Sequence, residues 1–173
     1  MSRLRFKISI SLDGFVTGPN QSVDNPLGIG GMRLHEWAFG LAVFRVQHGM
    51  EDGEVNESTR VIEESLANIG ATVMGRNMFG GHPGPWEAKQ QARRAAGGKD
   101  VSLTGGAKAS QQFLATGLVD EMEISVVPTL LGSGERLFDD VGDDLHGLEL
   151  VRTVAAPQVT HIKFAKTLRG KGH

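Results

Sequence analysis

The chain has 173 residues, 22% of them charged, and a net charge of −2. That suits a single domain over 1–173 and excludes the strongly basic face that a nucleic acid or an anionic membrane requires. With no cysteine and no tyrosine, it cannot use disulfides, a thiolate nucleophile, cysteine metal ligands or a tyrosine general acid.

The opening "MSRLRFKISIS" alternates apolar and polar residues, so it reads as a strand with one buried face and not as a signal peptide or an anchor. No apolar run approaches the ~18 residues of a membrane span, and a cytoplasmic protein is expected. The strand runs into Asp13-Gly14, a turn signal, then Phe15-Val16 and a Gly/Pro/Asn-rich loop over 17–33. Leu34, Trp37, Leu41 and Phe44 recur at helical spacing, which predicts one helix to about Val46. A second helix is predicted from Ser58 to Ile69, stopped by Gly70. "ATVM" then forms a short strand ending at Gly75-Arg76, and "EAKQQARRAAGG" a helix stopped by two glycines. Val101–Leu103 reads as a strand, followed by Gly105-Gly106 and a helix ending near Gly117. Met122, Ile124 and Val126 alternate with Glu121, Glu123 and Ser125 in a strand whose glutamates are assigned to a solvated face. Leu148–Val154 and Val159–Leu168 close the chain as a hairpin. Strands alternating with helices before a hairpin make this an α/β chain with a mixed sheet.

"VMGRN" and "LTGGA" both put glycine between the end of an apolar strand and the start of a helix. Two readings stand for each joint. Glycine eases a tight turn, or it lets a phosphate approach backbone N–H groups at a helix start. Arg76 would add a fixed fork for a second phosphate. The histidines never fall at metal-ligand spacing, so no metal site is expected and each is read as solvated or singly bonded. Asp13, at the end of the first strand, is either the turn residue of a D-G pair or a carboxylate facing the crevice. Trp37 and Phe15 are assigned to the core. Arg136 reads first as a surface arginine, with contact to a substrate phosphate as the alternative.

In order, "FKISISLDGFVTG", "VMGRNMFGG", "DVSLTGGAKASQQFLATGLVDEMEISVVPTLLGSGERLF" and the closing hairpin resemble the dihydrofolate reductase-like family. Within it, the chain looks most like stand-alone relatives of the C-terminal reductase domain of the riboflavin-biosynthesis deaminase/reductase. The resemblance implies a three-layer α/β sandwich with a mixed, mainly parallel sheet, NADPH as cofactor, a small-molecule substrate and a homodimer. It places the cofactor phosphates on Gly75, Arg76, Thr104, Gly105, Gly106 and Ala107, and puts Asp13 and Gly14 in the nicotinamide and substrate pocket. The loop "PTLLGSGERLF" would close that pocket's far side. One departure stands out. Relatives carry about two further strands after "GPW", including a basic turn that grips the adenosine 2′-phosphate, whereas here Trp86 leads almost directly into a helix. The implied activity is NADPH-dependent reduction of a phosphoribosylaminouracil or similar pyrimidine. Dihydrofolate reduction and a non-enzymatic dimeric scaffold are the alternatives.

Overall fold

The computed structural model describes residues 2–75 and 88–167. Their elements run β1 (Leu4–Ser11), β2 (Phe15–Thr17), a 3-10 turn (Gly31–Leu34), α1 (Glu36–Phe39), α2 (Ala42–Gln47), α3 (Glu57–Leu66) and β3 (Ile69–Met74). There follow α4 (Ala88–Ala95), β4 (Asp100–Thr104), α5 (Ala107–Ala115), β5 (Glu121–Val127), β6 (Glu135–Arg136), β7 (Leu148–Ala156) and β8 (Val159–Lys166). Six strands form one mixed sheet in the order β3-β4-β1-β5-β8-β7, while β2 and β6 pair apart from it. The first four run parallel, and β8 and β7 complete the sheet as an antiparallel hairpin. Among the described residues β3 is the terminal strand on its side.

The path from β1 out to β3 and the steps back to β4 and β5 cross the sheet in opposite senses. Right-handed crossovers therefore put α3 on one face and α4 and α5 on the other. On the α4/α5 face Leu4, Phe6 and Ile10 of β1 meet Val101 and Leu103 of β4, Met122 and Ile124 of β5, and Phe113 and Leu114 of α5. This is the main core, and the alternation along β1 supplies it.

The other face is buried too, which corrects the reading of Glu121 and Glu123 as solvated: both are at most 6% exposed. Arg5, Lys7 and Ser9 lie in register with Glu121, Glu123 and Ser125. Glu121 takes Arg5 Nε at 3.0 Å, Arg3 Nη1 at 3.1 Å and Lys163 Nζ at 3.0 Å. Arg5 also donates to the carbonyls of Glu64 (2.7 Å) and Ala67 (2.8 Å), filling acceptors left open at the end of α3. Arg152 bridges Glu64 (2.6 Å) and Glu123 (3.3 Å). Burial raises the Glu123 pKa against the opposing pull of Arg152, Lys163 and Lys7, and lowers that of Lys7 to about 8. Charges taken out of water in this way persist because they are paired.

His161 corrects a second expectation. It is fully buried, and its ring nitrogens hydrogen-bond with two serine hydroxyls, Ser58 Oγ at 2.8 Å and Ser125 Oγ at 2.9 Å. Trp37 packs edge-on against it at 5.1 Å, as expected of a core residue.

Two predicted helices differ in detail. The stretch from Leu34 to Val46 breaks at Gly40-Leu41, where Leu41 turns extended (ψ 136°) and bridges to Glu54. The next helix starts at an Asn56 capping box with Thr59 and ends before Asn68, whose φ is +61°. Gly70 lies inside β3 instead of stopping the helix, and it is glycine there because a Cβ would sit 2.3 Å from the Ala96 carbonyl oxygen.

Candidate functional site

The parallel strands end together along one edge of the sheet, and the two glycine joints meet there. Met74 is in register with Thr104, and Gly75 N–H donates to the Thr104 carbonyl at 3.2 Å. A Cβ on Gly105 would stand 3.1 Å from Ala109 Cβ of α5 and 3.3 Å from Gly75 N. Gly105 is therefore glycine for the chain's own sake, letting α5 and the β3 terminus close on β4. Gly106 is different. Its φ of −73° suits any residue, and the nearest atom to an added Cβ is Glu135 Oε2 at 4.0 Å. Among the described residues no atom lies close enough to require glycine at 106. It caps α5 without any side-chain hydrogen bond, so no side chain at the cap takes up the first-turn N–H groups. A space that a side chain would fill, facing free donors at the positive end of a helix, fits a phosphate. Arg76, expected beside this joint, lies outside the described residues.

Asp13 and Gly14 sit where β1 reaches the same edge. Gly14 has φ +89° and donates to the Ser11 carbonyl at 2.9 Å, so the D-G turn is real and needs glycine. The Asp13 carboxylate holds a distant loop, accepting the N–H of Gly132 at 2.8 Å and of Leu131 at 3.2 Å. With the Ser11 hydroxyl as the leading cause and these backbone donors adding to it, its pKa falls to about 2. At neutral pH it is ionised and not a proton donor. The loop is pinned twice more, through Leu12 N–H to the Thr129 carbonyl (2.9 Å) and Leu137 N–H to the Gly14 carbonyl (3.2 Å). Gly134, with φ +132°, closes it against β2, since a Cβ there would overlap the Thr17 carbonyl oxygen at 2.0 Å. The segment "PTLLGSGERLF" thus lies alongside the end of β1.

A candidate crevice would lie at this edge between Gly75 and Thr104 to Ala107 on one side and Asp13, Gly14 and β6 on the other. Sequence reasoning brought these residues forward. It missed Glu135, whose carboxylate faces Gly106; the β-strand alternation of two residues in a short paired segment is too brief a signal to reveal it.

Residues 86–162 match the model of the RibD C-terminal domain family. A solved structure of a putative riboflavin biosynthesis protein from Shewanella superposes with a TM-score of 0.59, covering 96% of this chain and 99% of that one at 18% identity. Dihydrofolate reductase from Enterococcus faecalis, solved with NADP(H), superposes at 0.50 over 94% and 95% of the two chains at 12% identity. The fold is dihydrofolate reductase-like. The resemblance expected from the sequence, to that family and to its RibD branch, is borne out. A further relative, the uncharacterized Bacillus subtilis protein YyaP, is 45% identical over 56 residues, which span 32% of this chain and 29% of that protein. The family match covers less than half of this chain, and the YyaP match about a third of it. Among the described residues no helix is long and apolar enough to cross a membrane, and no cluster of acidic and histidine side chains is suited to hold a metal ion.

Proposed function

We propose that the chain is an NADPH-dependent reductase acting on a small heterocycle, with 5-amino-6-(5-phosphoribosylamino)uracil or a similar pyrimidine as the favoured substrate. It would work as a homodimer in the cytoplasm. The observation that carries this reading is Gly106, a glycine that no contact among the described residues requires, at the start of α5, where no side chain caps the helix. Bound NADPH supplies the hydride. Gly105, Gly106 and Ala107 would offer backbone donors to the phosphates, with Gly75 and Thr104 shaping the floor beneath them and Arg76 beside them. Asp13 and Gly14 would position the substrate end. Calorimetric titration of NADPH into the purified protein tests the reading, and an absence of binding would sink it.

Cofactor discrimination should be weak. Recognition of the 2′-phosphate rests on one or two basic side chains, and the basic turn that carries them in relatives has no counterpart in this sequence. The dissociation constants of NADPH and NADH are expected to differ by less than about a hundredfold. A larger preference would mean that another base, such as Arg76, has taken the role.

Asp13 acts in this scheme through the loop it holds. Asp13→Asn keeps the size and the turn preference but can turn an amide N–H against a backbone donor, at Leu131 or at Gly132. Turnover should fall by roughly 10²-fold from misplacement of the loop, with NADPH affinity kept. The pH–rate profile of the wild type should show no step from Asp13 between pH 4 and 9, because its pKa is held down to about 2. Full turnover in the Asn variant would remove Asp13 from the site.

A further inference from the structure

We infer that Arg136 is the anion anchor of the crevice's substrate end, recognising a phosphate or carboxylate carried by the substrate. The inference rests on the reading above for which end of the crevice is which. The Arg136 guanidinium is held at two points, and neither is an acid. Its Cζ lies 4.4 Å from the centre of the Phe15 ring, and Nη1 donates to the Asp13 carbonyl at 3.0 Å. The backbone beneath it is fixed as well, through pairing with Phe15 and through Gln111 Nε2 of α5, which donates to the Arg136 carbonyl at 2.8 Å.

This differs from two arginines of the six-stranded sheet. Arg5 and Arg152 each meet a buried glutamate. Among the described residues no carboxylate forms an ion pair with Arg136. The two acids nearest in the chain are committed elsewhere. Both Asp13 oxygens face the Leu131 and Gly132 N–H groups, and Glu135, the preceding residue on β6, faces Gly106.

An arginine carries five N–H donors in a rigid fork, and among the described residues one of them is used on protein. The rest stand on an exposed side chain beside Gly14, where Nη1 lies 3.7 Å from the position of an added Cβ. Stacking on Phe15 removes much of the rotamer freedom an arginine must otherwise lose on binding. A planar, oriented, charge-unpaired guanidinium at a crevice mouth matches the geometry of a phosphate or carboxylate.

The test is modification of arginines by phenylglyoxal, followed residue by residue by peptide mass spectrometry, with inorganic phosphate as the probe. Phosphate should slow labelling of Arg136 several-fold, and should do so equally when NADPH is saturating. By calorimetry, Arg136→Lys, which keeps the charge and loses the fork, should lower phosphate affinity by roughly tenfold while NADPH affinity stays within about threefold. Labelling of Arg136 that ignores phosphate would overturn the inference, as would an unchanged phosphate affinity in a folded Lys variant. Protection by NADPH alone, with nothing added by phosphate, would also overturn it by assigning Arg136 to the cofactor. If NADPH fails to bind while phosphate still protects Arg136, the cofactor reading falls and the anion anchor stands.

Discussion

Gly106→Val should cost at least tenfold in NADPH affinity, or ~1.4 kcal/mol, and lower the melting temperature only by the modest cost of a poorer N-cap residue. The two halves of this expectation come from the same geometry. With φ at −73° and ψ at −178°, residue 106 occupies extended backbone that a valine adopts freely, and an added Cβ meets no atom closer than 4.0 Å. Among the described residues nothing blocks the side chain, and the folding cost is that of a poorer N-cap residue, on the order of 1 kcal/mol or less. A branched side chain at that place does, however, stand between the first-turn N–H groups of α5 and anything approaching them. Gly105→Val makes the informative contrast. Its Cβ would press on Ala109 at 3.1 Å and on the backbone of Gly75 at 3.3 Å, so that variant should lose stability before it loses anything else. Unchanged NADPH affinity in a folded Gly106→Val protein would put the phosphates elsewhere.

The second large effect is on stability, and it centres on His161. Burial, with Lys7 and Arg152 nearby, holds its pKa down to about 4 from an ordinary 6.5. Between these values the unfolded chain takes up a proton that the folded chain refuses. The contribution of the neutral imidazole is thus fully present above pH 6.5 and is lost as the pH falls toward 4. At 1.36 kcal/mol per pH unit, the loss across this window is about 3 kcal/mol. Denaturant unfolding at a series of pH values should show that decline. His161→Gln, which keeps a donor and an acceptor but cannot titrate, should be less stable at pH 7.5 and nearly flat between pH 6.5 and 5. A wild type that is equally stable at pH 7 and pH 5 would mean that His161 is not held neutral.

The alternation of Leu4, Phe6, Ile8 and Ile10 was enough to find β1 and its core face, and the two glycine joints were legible because their signal is local. What the pattern could not reveal was the fate of the other face. Arg5, Lys7, Glu121 and Glu123 are the residue types that normally face water, and a period of two says only that they share a side. Their burial depends on partners far along the chain: Arg5 meets Glu121, and Arg152 reaches Glu64. Asp13 is a similar case. Its turn is readable from the following glycine, but its partners at Leu131 and Gly132 come from more than a hundred residues away. The break at Gly40 within a run of helical periodicity depends likewise on the bridge between Leu41 and Glu54. At Gly105 and Gly106 the sequence poses a single question about both glycines, and only the packing of Ala109 and Gly75 separates the one kept for the fold from the one left open.

The most direct measurement of the central claim is amide chemical-shift mapping of the isotope-labelled protein during titration with NADPH. A nucleotide whose phosphates sit on the α5 start should shift the backbone amides of Gly105, Gly106, Ala107 and Lys108 most strongly, with smaller changes at Gly75 and Gly14. Binding that leaves those four amides unmoved, with its largest shifts elsewhere on the protein, would contradict the account.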